Sequence, residues 1–194
     1  MLNRPFFRPG RQSCRQQAGA SLIEVLVSVL IVSFGLLAMA AMQANAVKFN
    51  KTSELRAVAT LLARDLGERI KANSVGGIPP AGQYVLTDAY TPMDQAPDTP
   101  ACVVTEGCTD IEIAQQDLAE WQQALFHSLP EAAGYVQVRG NVAPVMVDIW
   151  IAWRETDSDS PRGSAGVGRD ECPAAFVSDN IEPRPRCLYF GFAL

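Results

Sequence analysis

From Val25 to Met42 the chain runs for 18 residues without a charge, and Ser28 and Ser33 are the only clearly polar side chains in that run. At about 1.5 Å per residue a helix of this length spans roughly 27 Å, enough for the hydrocarbon core of a bilayer. Beyond Met42 the apolar positions thin out to helical spacing. Leu55, Val58, Leu61, Leu62, Leu66 and Ile70 form a stripe, with Arg56, Arg64, Asp65, Arg69 and Lys71 off it. Asp65 and Arg69 stand four residues apart in the favourable order for an ion pair. Asn73-Ser74-Val75-Gly76-Gly77 stops the pattern. The spacing predicts one helix from Ala20 to Asn73, 54 residues and roughly 80 Å long if fully helical. Its first half faces lipid; its second half packs on a globular head.

Gly76 to Thr105 is loop-rich, with Pro79, Pro80, Pro92, Pro97 and Pro100. Thr109-Asp110-Ile111-Glu112 then reads as a capping box. Ala114, Leu118, Trp121 and Leu125 follow at spacings of four, three and four, and Pro130 closes a short helix over 110–129. Tyr135–Arg139 and Val145–Arg154 read as strands. In the second, Val145, Val147, Ile149, Ile151 and Trp153 share one face. Gly140-Asn141 lie between the two, which predicts a hairpin. Thr156–Arg169 is a polar loop, and Cys187–Phe192 is a third strand. No internal repeat is present. The order predicts an α+β fold, a long N-terminal helix on a small antiparallel sheet spanning 135–192.

Charge sharpens the picture. Residues 1–19 hold Arg4, Arg8, Arg11 and Arg15 and no acid, so the other 175 residues hold 12 basic and 21 acidic groups, a net of −9. So acidic a body excludes nucleic-acid binding through a broad basic face. A short basic end directly before an apolar run is the arrangement of a targeting segment. The positive-inside rule keeps residues 1–19 in the cytoplasm and puts everything after Met42 outside. One reading is a secretory signal peptide, for which Ala44-Asn45-Ala46 supplies a small-x-small cleavage site. Glu24 argues for the other, a retained segment. A carboxylate costs about 2.5–3.5 kcal/mol at the centre of a spanning helix and less near its end, so it calls for a partner.

Gly19-Ala20-Ser21-Leu22-Ile23-Glu24-Val25-Leu26-Val27 resembles the class III signal of type IV pilins and type II secretion pseudopilins. The resemblance implies that a prepilin peptidase cuts after Gly19 and N-methylates Ala20, which makes Glu24 the fifth mature residue. The first mature residue is Ala, where Phe or Met is commoner. The proline that kinks many major pilin helices is absent, which implies a straighter segment. Cleavage would expose a positive α-amino group on Ala20. Glu24 of a neighbouring subunit can neutralise it in low dielectric, which would set the axial register between subunits.

More of the chain is similar to the PilV-type minor pilins: Leu62-Ala63-Arg64-Asp65-Leu66-Gly67-Glu68-Arg69-Ile70-Lys71-Ala72-Asn73, then Asp117-Leu118-Ala119-Glu120-Trp121 with Leu129-Pro130, then Val147-Asp148-Ile149-Trp150-Ile151-Ala152-Trp153. This implies a ladle-shaped pilin in three parts: a cleaved cytoplasmic leader (1–19), a transmembrane half-helix (20–43) and a periplasmic head (44–194). It also implies a structural subunit, not an enzyme, that helps initiate or prime type IV pilus assembly, and hence supports twitching motility and adhesion. The implied partners are prepilin peptidase, the other minor pilins, the major pilin, the inner-membrane assembly platform and membrane lipid. The implied location is the bacterial inner membrane, then the pilus near its tip. Two alternatives stand beside it: a minor pseudopilin of a type II secretion system, and a secreted or anchored periplasmic ligand-binding domain.

Cys14 lies in the leader. The mature part keeps Cys102, Cys108, Cys172 and Cys187, an even count that favours disulfides outside the membrane and allows three pairings. Neighbour pairing, Cys102–Cys108 and Cys172–Cys187, is the expectation. The Cys-x-x-Cys spacing of a zinc site is missing. Asp157 and Asp159 lack the Gly and terminal Glu of a calcium loop and read as a solvated turn. His127 is the single histidine and suits a helix C-terminus rather than catalysis. Trp121, Trp150 and Trp153 read as core. The sequence therefore assigns no catalytic residue, metal site or cofactor.

Overall fold

The structure is a computed structural model that describes residues 19, 21–100, 107–155, 172–178, 180–181 and 184–194. The first helix, α1 (Leu22–Ala72), runs through both of the compact units into which the chain divides, Met1–Val47 and Lys48–Leu194. In the first unit every described residue is exposed. The second unit adds α2 (Asp110–Ser128) and three strands, β1 (Ala133–Arg139), β2 (Met146–Trp153) and β3 (Arg186–Ala193). They form one antiparallel sheet in the order β1-β2-β3. The second half of α1 packs with α2 and this sheet around one core, giving the α+β fold that the order of elements predicts.

In the second unit α1 buries Leu55, Ala59, Ala63, Leu66, Gly67 and Ile70. The stripe expected from large apolar residues needs two corrections. Leu61 is exposed, and the small residues Ala59, Ala63 and Gly67 belong to the packed face. The reason is close approach: a Cβ on Gly67 would lie 3.1 Å from a ring carbon of Phe192 in β3. Where an element comes that near, a bulky side chain has no room.

α2 starts as its sequence requires. Thr109 Oγ1 accepts from the Glu112 backbone N–H, and the Glu112 carboxylate accepts from the Thr109 N–H. Two orphan donors are thereby satisfied. The helix stops at Leu129, whose extended backbone cannot continue it and whose N–H still donates to the Leu125 carbonyl. Pro130 follows, and the residue before a proline is steered away from helical geometry. Trp121 is fully buried and donates its Nε1–H to the Leu62 carbonyl at 2.9 Å, which ties α2 to α1. Its ring occupies the space above Gly134, where a Cβ would meet it at 2.4 Å.

Strand alternation sorts the sheet into two faces. Val147, Ile149, Ile151 and Trp153 enter the core beneath α1 and α2. Asp148, Trp150 and Ala152 lie on the other face, so Trp150 is not part of that core. One register row there is Tyr135–Trp150–Tyr189. A second cluster covers part of this face: Tyr90, Tyr135, Ala152, Phe176, Val177 and Cys187. β1 begins two residues before the expected Tyr135, and β3 extends one residue beyond the expected strand at each end. β2 is one residue shorter at each end than the pattern suggested.

Candidate processing and assembly site

Gly19 is exposed, with nothing within 4 Å of where a Cβ would stand. Ala20, the expected first mature residue, lies outside the described residues. Glu24 occupies the first turn of α1, where the positive end of the helix dipole favours a carboxylate. From Val25 to Val47 no further charge follows. The two hydroxyls of the apolar run bond within their own helix: Ser28 Oγ donates to the Glu24 carbonyl and Ser33 Oγ to the Val29 carbonyl, both at 2.7 Å. Such back-bonding leaves the segment no unpaired hydroxyl donor to solvate. An exposed aliphatic surface with its polar groups satisfied internally, led by one carboxylate, suits lipid or other helices like itself. α1 is also long and apolar enough to cross a membrane.

Among the described residues the second unit holds three polar clusters, and the Asp65–Arg69 spacing is the one sign of them in the sequence. Arg69 is a hub, pairing with Asp65 (2.9 Å), Asp117 (3.2 Å) and Glu120 (2.7 Å). Its guanidinium is held more firmly protonated, chiefly by the Glu120 bond. Glu120 is pulled below the usual carboxylate range by Gln116 first and Arg69 second. Beside the hub, Tyr84 donates to Asp117 at 2.6 Å and accepts from Asn73 at 3.1 Å. Burial raises the Tyr84 phenol above its ordinary value, and the Asp117 bond adds to that. These contacts fasten the loop after α1 to both helices.

The second cluster is on the outer sheet face. Asp148, almost fully buried, accepts from Tyr189 Oη at 2.6 Å and from Arg139 Nε. The third joins α1 to the end of β2: Glu155 accepts from Thr52 Oγ1 and Trp153 Nε1, both at 3.2 Å. These pairings span up to 103 positions, so no spacing rule reaches them. Carboxylates already bonded to fixed partners act as fasteners of the fold.

Cys172 and Cys187 form a disulfide with a sequence separation of 15. It holds the segment carrying Phe176 and Val177 against Tyr90 and Tyr135. Burial pushes the Tyr90 phenol up to about 12, and its hydroxyl donates to the Glu131 carbonyl at 2.8 Å. Cys108 is also disulfide-bonded, while Cys102, its expected partner, lies outside the described residues. Asp157 and Asp159 lie outside them as well. His127 is exposed in the last turn of α2.

Two family models match the chain. The Prokaryotic N-terminal methylation motif covers residues 14–40, and Type IV pilin Tt1218 covers residues 41–119. The two matches support a type IV pilin. They meet inside α1, and the pilin match runs on through the Arg69 hub into α2. Neither includes the sheet. No curated protein and no solved structure matches the chain. The methylation motif implies processing by a prepilin peptidase and a place in pilus assembly, and with the apolar helix it suggests membrane anchoring. The family is one of structural subunits rather than enzymes.

Proposed function

We propose that this chain is a minor pilin that helps initiate type IV pilus assembly, cleaved between Gly19 and Ala20, methylated on Ala20 and registered against its neighbours by Glu24. The observation that carries the reading is the single carboxylate at the head of an uncharged, wholly exposed half-helix. A carboxylate there finds a counter-charge in the new amine of an adjacent subunit. The PilV-type segments in α1, α2 and β2 favour a priming role, with other minor pilins, the major pilin and the assembly platform as partners. In this reading residues 20–43 sit in the inner membrane, residues 44–194 form the periplasmic head, and Cys102–Cys108 is the second disulfide.

Glu24→Gln tests the register. The variant keeps its shape, still inserts and is still cut, since Gln burdens the bilayer less than Glu. It recovers less of the partner minor pilins on co-purification, and piliation falls with it. Equal recovery and equal piliation would contradict the role given to Glu24. Recovery of secretion-system pseudopilins in place of pilins would make the chain a pseudopilin.

A further inference from the structure

We propose that the outer edge of β3 takes up an extended, uncharged peptide strand of a partner protein, with aliphatic side chains at alternate positions. The two edges of the sheet differ. At β1, Leu86 and Val136 each donate a backbone N–H to the other's carbonyl, at 3.0 and 2.7 Å. At β3 no described segment pairs with the side away from β2. The register tells which groups this leaves open. The Leu194 N–H donates to the Val145 carbonyl at 2.9 Å, and hydrogen-bonded pairs alternate along an antiparallel ladder. Phe192, Phe190 and Leu188 therefore turn their backbone groups to β2, and Ala193, Gly191 and Tyr189 turn theirs outward. Among the described residues, nothing bonds the outward backbone groups of Gly191 and Ala193.

Side chains show the same asymmetry. In β2, Val147, Ile149 and Ile151 are fully buried, whereas their register partners Phe192, Phe190 and Leu188 are only partly buried. The core thus ends at an apolar row that one more strand would cover. On the other face the Tyr189 hydroxyl fills the space where a Gly191 Cβ would stand and bonds Asp148 in β2. Sheet edges are ordinarily blunted by charged side chains, proline or a bulge. Cys187–Leu194 holds no charged residue and no proline, and β3 pairs residue for residue with β2. Such an edge suits strand addition, in which backbone bonds give affinity and alternate side chains give specificity. The charges that border it are balanced: Lys71, over the Phe192 ring at 5.2 Å, pairs with Glu68 at 2.9 Å, and Arg186 pairs with Glu155 at 3.6 Å. A charged strand would meet no spare counter-charge among them, so the occupant is uncharged. A second copy fits less well, because the net charge of −9 beyond residue 19 sets two copies against each other. The inference uses the second unit alone and is independent of the processing and assembly reading.

The test uses the full chain in detergent micelles and a capped, uncharged peptide of alternating threonine and valine. In an antiparallel register with valine toward the core, the threonines stand opposite Tyr189, Gly191 and Ala193 and bond their backbones. Amide hydrogen exchange at Gly191 and Ala193 is expected to slow at least tenfold with the peptide, with Ile149 unchanged. N-methylation of the threonines removes the donors that face β3 and abolishes this protection. N-methylation of the valines, whose donors face away, leaves it intact. Ala193→Pro removes an outward donor without taking a bond from β2, as proline on an edge can. It weakens peptide binding at least tenfold, while Ala193→Ser binds like the unaltered chain. If Ala193→Pro also lowers the unfolding midpoint, the two N-methylated peptides on the unaltered chain decide. No binding, equal binding of the two N-methylated peptides, or protection that arises without peptide and grows with chain concentration, as pairing of two copies would give, overturns the proposal.

Discussion

The two halves of α1 share one backbone and solve opposite problems. From Leu22 to Val47 no side chain is buried, although leucine, isoleucine, valine and phenylalanine dominate. From Lys48 to Ala72 the apolar content is lower, yet six residues are buried and the small ones matter as much as the leucines. Burying a large aliphatic side chain is worth about 1.5–3 kcal/mol. In the first half no side chain is buried, consistent with the membrane anchoring that the methylation motif suggests. The second half gains that stabilisation from α2 and the sheet. In a helix whose apolar content and burial run in opposite directions the second half is specified for folding, and the first, on the function proposed above, for assembly.

The largest expected effect separates the halves directly. Trp121→Ala removes a fully buried ring and its bond to the Leu62 carbonyl, and should destabilise the head by about 3–5 kcal/mol. Leu30→Ala in the exposed half should leave the head's stability unchanged. Urea midpoints of the full chain in detergent micelles check both. A fall in midpoint for Leu30→Ala comparable to that for Trp121→Ala would break the division.

Glycine offers a finer contrast. Gly67→Leu forces a side chain into Phe192 and should cost about 1–3 kcal/mol by overpacking. Gly35→Leu has nothing within 4 Å to meet, and it gains about 1 kcal/mol of helix propensity. Thermal unfolding of the full chain followed by circular dichroism should show a lowered transition temperature for the first and no lowering for the second. The smallest effect concerns hydroxyls. Tyr84→Phe loses bonds to Asp117 and Asn73 and should cost about 0.5–1.5 kcal/mol at neutral pH. The Tyr84 pKa is raised in the folded head, so its contribution is complete below the ordinary tyrosine value of 10 and is lost as pH rises through the folded value. Urea midpoints should therefore fall above pH 10, and fall less in Tyr84→Phe. Ser28→Ala, whose hydroxyl bonds only its own helix, should change neither.

What could be read from the sequence follows the same division. The first half of α1 was legible because a bilayer-length apolar run, a basic leader and a lone acid are local features. The capping box at Thr109 and the alternation in β2 were legible for the same reason. The packed face of the second half was misread at Leu61, because hydrophobicity marks what seeks burial and not how near the partner comes. Gly67 is buried because it is small. The Arg69 hub showed only its Asp65 arm; Asp117 and Glu120 arrive from α2, 48 and 51 positions away. Asp148 sits on the outer face of β2, and nothing in its own strand indicates that Tyr189 and Arg139 meet it there.

Intact-mass and N-terminal analysis of the full-length chain, expressed with its processing peptidase and extracted from the membrane, tests most directly the claim that the first half of α1 is made for assembly. The account predicts a chain that begins at N-methylated Ala20, remains in the membrane fraction and retains Leu22–Met42. A chain beginning at Val47 and released from the membrane would contradict it, because the apolar half-helix would then be a discarded signal and not a working part of the molecule.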